Sequence, residues 1–240
     1  GISIYSHYPI IRYGEINFNS EKNNSMWADI LIGKDTIRVF NNHLQTTDVS
    51  MNGKKYEEYR SVKDWKGQAR TLVNIVEQLK DNFVIRANQA IQVRNIIDTT
   101  RYPVIVCGDF NDTPVSFAYN HIAGNNLTDG FRDRGKGYGH SFNGIKGLLR
   151  IDFISYDKSF TGLVYDSPHL PWSDHNPIIM QGMLNRRPEV HSHCTDLYLR
   201  LQLLWPFDRI HCIINNQMIT SVTTLFHMLQ IILLTLNGPD

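Results

Sequence analysis

The run Tyr102-Pro103-Val104-Ile105-Val106-Cys107 constrains this chain more than any other segment. It is short, continuously apolar, and followed at once by Gly108 and Asp109. That pattern is expected of a strand buried on both faces, which exists only inside a sheet covered on either side. The text around it alternates between strand and helix signals. Trp27 to Ile32 and Thr36 to Asn42 are β-rich runs joined by Gly33-Lys34-Asp35, which predicts a hairpin. Leu72, Ile75, Val76 and Leu79 recur at helical spacing within Trp65 to Lys80, and Ala90, Ile91, Ile96 and Ile97 do so within Ile85 to Ile97. These predict two helices. Thr113-Pro114 has the form of an N-cap followed by Pro at the first helical position. Ile151 to Tyr156 and Pro177 to Met183 read as two more strands. Hairpins and buried strands mixed with helices imply a layered α/β architecture.

With 240 residues, 42% of them hydrophobic, the chain can bury one large core, or one core and a small appendage. Charged and aromatic contents of 20% and 11% exclude a disordered, collagen-like or mini-protein class. Lys+Arg 24 against Asp+Glu 23 leaves a net charge of +1, without the basic excess of a protein that grips duplex nucleic acid mainly by charge. Cys107, Cys194 and Cys212 are too few and scattered for a disulfide framework, and they leave the compartment open. Gly1 opens directly into Ile2-Ser3-Ile4-Tyr5 with no signal-peptide pattern, as in a mature product or a fragment starting inside a folded domain.

The last lysine is Lys158, and from about Asn185 the text turns rich in Leu and Ile. A boundary is expected there, with 1–184 as a folded domain and 185–240 as a tail of uncertain origin. Met218 to Leu236 is about long enough to cross a bilayer. Thr220, Ser221, Thr223, Thr224, His227 and Gln230 interrupt it, so it reads either as a membrane-associated segment or as a buried, aggregation-prone helix. His191, His193, Cys194, His211 and Cys212 match no common zinc spacing.

Chemistry gathers where the strands end. After Val106-Cys107-Gly108, Asp109 and Asn111 stand two apart and point to the same side of extended backbone. A carboxylate and an amide then share the mouth of a buried strand, where α/β proteins commonly place ligands. The first can hold a metal or take a proton, and the second can hold a phosphoryl oxygen. An Asx turn capping the next helix is the competing reading. In Ser173-Asp174-His175-Asn176-Pro177, Asp174 and His175 face opposite ways, one suited to a metal and the other to substrate. Read alone, the motif is better explained as a polar turn before a strand, with Asn176-Pro177 as its marker. Asp152, inside Arg150-Ile151-Asp152-Phe153-Ile154, needs a partner if it is buried. His175 would serve, and a solvent-touching strand edge is the alternative. His43 follows the strand pattern Val39 to Asn42, and gains weight from the company of the other strand ends.

Gly108-Asp109-Phe110-Asn111, Arg150-Ile151-Asp152-Phe153-Ile154 and Ser173-Asp174-His175, in that order, resemble the endonuclease/exonuclease/phosphatase superfamily, the fold of deoxyribonuclease I, exonuclease III and the sphingomyelinases. Asn42-His43-Leu44 is similar to the family's His-Leu motif. Gly1 to Ile10 resembles the segment after its first metal-binding motif, and Ser141-Phe142 its Ser/Thr-aromatic pair. The helical insert Arg70 to Asp98 looks most like a bacterial branch. The resemblance covers about Gly1 to Leu184.

The resemblance implies a four-layer α/β sandwich of two mixed, mainly antiparallel sheets flanked by helices, its first strands missing from this chain. It implies hydrolysis of a phosphodiester or phosphomonoester by water activated on Mg²⁺ or Mn²⁺. Asp109 would help activate that water, with Asp174 and Asp109 in the metal site. Asn111 would hold the scissile phosphate and His43 would donate to a phosphate oxygen. His175 would be general base or charge stabiliser, oriented by Asp152. The substrate would be a phosphate ester of nucleic acid, phospholipid or small-molecule type, with no protein partner evident. The family's first-strand Asn and its metal-binding Glu belong upstream of Gly1, and Glu15 and Glu21 do not fit that motif. This departure implies a weak or inactive chain. It also supplies the rival expectation, a non-catalytic binding module that keeps the fold.

Overall fold

A computed structural model of the chain describes residues 2–47, 64–143, 148–185, 197–204, 210–214, 217–221 and 230–235. The strands β1 (Ile2–Ser6), β2 (Ile10–Ile16), β3 (Asn24–Ile32) and β4 (Asp35–His43) come first. Helix α1 (Trp65–Thr99) follows, then β5 (Val104–Asp109), α2 (Phe117–Ala123), β6 (Leu127–Asp129) and α3 (Gly130–Arg134). The chain continues through β7 (Asp152–Asp157), β8 (Phe160–Asp166), β9 (Ile178–Leu184), β10 (Leu197–Leu204), β11 (Ile210–Ile214), β12 (Gln217–Ser221) and β13 (Gln230–Thr235).

One sheet has six strands in the order β2-β3-β4-β5-β7-β6, and a second has five in the order β1-β13-β10-β9-β8. β11 and β12 form a separate ribbon. The expected hairpin forms with Ile32 opposite Asp35, so Gly33-Lys34 is a two-residue loop. Gly33 takes φ 63°, the left-handed region that the first position of a type II′ turn demands. The run at Val104 forms β5, and every one of its residues is buried. It pairs parallel with β4 on one side and antiparallel with β7 on the other.

Alternation along the strands builds two cores. Ala28, Ile30, Ile37, Val39, Ile105, Cys107, Ile154 and Tyr156 face the second sheet, where Phe160, Ile178, Met180 and Leu184 meet them. Their neighbours Phe40, Val104, Val106 and Phe153 face the helices, packing on Ala90, Val93 and Ile97 of α1 and on Ala118, Tyr119 and Ile122 of α2. The six-stranded sheet is therefore covered on both faces, as its central apolar strand requires. The mixed α/β sandwich expected from the sequence is the architecture that forms.

Several local expectations are corrected. Trp65–Thr99 is one helix of 35 residues, not two. Asp81-Asn82-Phe83-Val84 between the two patterns contains no Pro or Gly, so nothing interrupts the backbone ladder. The N-cap of α2 is Ser116, whose hydroxyl accepts from the Tyr119 N–H, and not Thr113. The Ser116 N–H bonds the Thr113 carbonyl, so Pro114 occupies the second position of a turn, which suits its fixed φ as well as a helix start does. β6, α3 and β8 gave no usable sequence signal. In β8, Gly162 interrupts the pattern beside a register shift between Gly162 and Val164.

The described parts of Met218 to Leu236 are strands, not helix, in keeping with their β-branched Ile and Thr content. β10 pairs with β9, and β13 runs parallel to β1. Among the described residues no helix is long and apolar enough to cross a membrane. His191, His193 and Cys194 lie outside the described residues.

Candidate active site

The strand registers set the site. In β4, β5 and β7 the residues facing the second sheet run Val39, Asn41, His43; then Ile105, Cys107, Asp109; then Tyr156, Ile154, Asp152. Three apolar columns thus end in polar residues at the same edge. His43 is the register partner of Asp109, and Asp109 that of Asp152, so all three lie on one row across adjacent strands. His175 arrives from the loop before β9, where its backbone bridges Phe142. Hydrogen bonds from Asn176 N to Ser141 O at 2.7 Å and from Asn143 N to Asp174 O at 2.7 Å hold that loop.

Asp152 and His175 form a buried pair, with Nδ1 2.8 Å from Oδ2. A carboxylate only accepts, so the ring donates from Nδ1 and the tautomer is fixed. The Ser141 hydroxyl accepts from the N–H groups of Ile151 and Asp152, both at 3.0 Å, and pins the start of β7. The Phe142 ring lies 5.0 Å from the imidazole, centroid to centroid. Burial by itself would lower the His175 pKa. The Asp152 carboxylate outweighs it, and the ring is raised to about 9.

Asp109 is 2% exposed. Its Oδ1 accepts from the Asn111 N–H at 2.7 Å, an Asx-type contact, and its carbonyl accepts from the Leu44 N–H at 3.0 Å. Burial first, and the Asp152 charge second, push its carboxyl up to about 8. Asn111 takes φ 50°, and its amide Nδ2 donates to Leu44 O at 3.0 Å. Asp109 thus makes an Asx turn that caps no helix, since Ser116 caps α2, and Asn111 has left the extended backbone that would put it on the same side as Asp109. His43 Nε2 stands 3.9 Å from Asp109 Oδ2, and its Nδ1 stands 3.2 Å from Lys22 O. Burial lowers the His43 pKa.

Ligand atoms of Asp109, Asp152 and His175 all fall within 4.8 Å of one another. Two buried carboxylates so close repel, and a hard divalent cation with oxygen ligands would offset that repulsion. The donor chemistry fits such an ion, with Asp109 as the carboxylate whose charge is least compensated. Asp174 is exposed and stands outside this three-residue group, in which Asp152 is the acid beside Asp109. Asp174 still faces His175 closely enough to favour the charged ring. His43, Asp109, Asn111, Asp152 and His175 are thus brought to one sheet edge, with Asp174 beside them.

Two supports do more than the sequence suggests. Gly108 takes φ 137° and a Cβ there would lie 2.0 Å from Asn42 O, so glycine is what lets β5 approach β4 at the site. Arg86 is 1% exposed on α1, and its signal was a cation on the apolar stripe of Ala90, Val93 and Ile97.

No curated protein matches the chain. Among solved structures, an endonuclease/exonuclease/phosphatase family protein from Bacteroides thetaiotaomicron aligns at 16% identity and a TM-score of 0.49, over 78% of this chain and 67% of its own. A mannosyl-6-phosphatase of the same organism aligns at 16% identity and a TM-score of 0.43, over 71% of this chain and 65% of its own. The human Nocturnin catalytic domain aligns at 17% identity and a TM-score of 0.39, over 70% of this chain and 57% of its own. The family model described as Endonuclease/Exonuclease/phosphatase matches residues 1–175, and the chain belongs to that family.

Proposed function

We propose that this chain is built for divalent-metal-dependent hydrolysis of phosphate esters by an attacking water. The single observation that carries this reading is the buried Asp152–His175 pair facing the buried Asp109, all within 4.8 Å. Asp109, with Asp174 beside the site, would hold Mg²⁺ or Mn²⁺, and the ion when bound would supply Lewis-acid stabilisation of developing negative charge. His175, kept cationic by Asp152, donates from Nε2 to a phosphoryl oxygen. That arrangement favours charge stabilisation over general-base action. Asp109 orients the attacking water and accepts its proton. The second N–H of Asn111 supplies a further donor to the phosphate, and His43, whose Nδ1–H faces Lys22 O, donates from Nε2 when phosphate binding brings its ring to the charged form.

The family's phosphatases and nucleases leave the ester class open, and nucleic acid, phospholipid and small phosphoesters all suit the donors described. Hydrolysis of bis(4-nitrophenyl) phosphate and 4-nitrophenyl phosphate in Mg²⁺ and in Mn²⁺ tests the reading. Metal-dependent turnover that disappears in Asp109→Ala supports it. Turnover unaffected by EDTA, or no turnover with either ester, counts against it and in favour of a binding module that keeps the fold.

A further inference from the structure

Arg86 makes a set of bonds that a core-filling residue would not need. Its Nε donates to Asp112 Oδ2 at 2.9 Å, and its Nη1 donates to Gln45 O at 2.9 Å and to Thr47 Oγ1 at 2.6 Å. Three residues further along α1, Gln89 Oε1 accepts from the Gln45 N–H at 2.8 Å. Thr47 Oγ1 in turn donates to Asn111 O at 3.4 Å, and Asn111 Nδ2 donates to Leu44 O at 3.0 Å. Two loops therefore meet on one buried cation. One is the segment that leaves His43, and the other is the segment that leaves Asp109 and carries Asn111.

A buried guanidinium is costly unless its donors are paired. Elsewhere on this face of α1, Ala90, Val93 and Ile97 fill the core without that cost. The planar fork does what an apolar residue cannot, fixing the distance between two acceptors on different loops. Its charge also reaches Asp109 and opposes the effect of burial there.

Resting on the hydrolase reading above, we propose that Arg86 is a positioning residue, which ties the loop after His43 to the loop after Asp109 and so sets the spacing of His43, Asn111 and Asp109. It touches no substrate. It acts through Gln45, Thr47 and Asp112, with Gln89 holding the other side of Gln45. A displacement of about 1 Å between these groups is enough to slow a reaction whose groups must converge on one phosphate.

The test compares Arg86→Lys, which keeps the charge and loses the fork, with Thr47→Val, which removes the hydroxyl that accepts from Arg86 and donates to Asn111 O. In the folded variants, NMR signals of the His43 ring and the Asn111 side-chain amide shift, while the His175 ring signal stays in place. With bis(4-nitrophenyl) phosphate and Mg²⁺, kcat falls about tenfold or more while KM stays within about twofold. Should Arg86→Lys fail to fold, Thr47→Val carries the test alone. Unmoved His43 and Asn111 signals in folded Thr47→Val overturn the proposal, as does a rate loss that only tracks the folded fraction. A wild-type chain that does not hydrolyse the ester sinks the hydrolase reading, and the NMR comparison still decides the role of Arg86.

Discussion

Asp152 Oδ2 and His175 Nδ1 lie 2.8 Å apart, although they are 23 positions apart in the chain and only Asp152 lies in a strand. Asp152 opens β7 of the six-stranded sheet, and His175 leads into β9 of the five-stranded one. The bond therefore ties the two sheets at the polar end of their shared apolar interface. Removing either partner alone strands the other in a buried place, which costs about 3–5 kcal/mol.

Asp152→Asn is expected to keep the shape and lose the charge. The His175 pKa then falls from about 9 towards its usual value, because burial is left without the opposing carboxylate. NMR titration of the His175 ring reads this directly. An unchanged titration would mean that the pair does not control the ring.

Stability without divalent cations should fall as pH rises. His175 has a folded-state pKa above its unfolded value, so its contribution is complete below about 6.5 and is lost as pH passes through about 9. Asp109 acts in the same direction: its carboxyl is raised to about 8, so folding loses favour from about pH 4 up to about pH 8. Thermal melts in EDTA at about pH 6 and about pH 10 should differ by on the order of 5 °C, the alkaline sample melting first. A higher Tm at alkaline pH would contradict both assignments.

Mn²⁺ should find the cluster through Asp109. The ion is paramagnetic, so its arrival broadens the His175 and His43 ring signals selectively. Asp109→Asn, which removes the charge, should abolish the broadening while leaving the fold intact by circular dichroism. Equal broadening in the variant would place the ion elsewhere.

Asp109→Ala and His175→Ala should each lower kcat for phosphate-ester hydrolysis by on the order of a hundredfold or more. Both groups would act on the transition state, so KM should change little. Initial rates at saturating ester measure the effect, and wild-type turnover in either variant refutes the assigned roles.

Gly108→Ala should be among the most damaging single-methyl changes in the chain. The new Cβ would meet Asn42 O at 2.0 Å, backbone that cannot swing aside, at a φ of 137°. A loss of about 3 kcal/mol in urea unfolding is expected. A near-neutral result would show that β5 and β4 can separate at the site without cost.

What the sequence by itself determined is the part governed by short-range periodicity. The apolar run at Val104, the hairpin across Gly33-Lys34 and the strands beginning at Asp152 and Ile178 were legible, because a two-residue period and a turn signal need no distant partner. The cost of burying a lone Asp152 called for a partner such as His175, whereas the two-residue period does not reach Asn111, which takes φ 50° beyond the end of β5. Tertiary structure decided the rest. Two helical patterns became one because no residue between them breaks the ladder, and Thr113-Pro114 became a turn because Ser116 took the cap. Register placed His43, Asp109 and Asp152 on one row, which no local pattern encodes. Asp174 was left exposed and Arg86 was drawn under two loops, since burial and long-range pairing depend on which segments meet, and that is settled only when the sheets and α1 pack together.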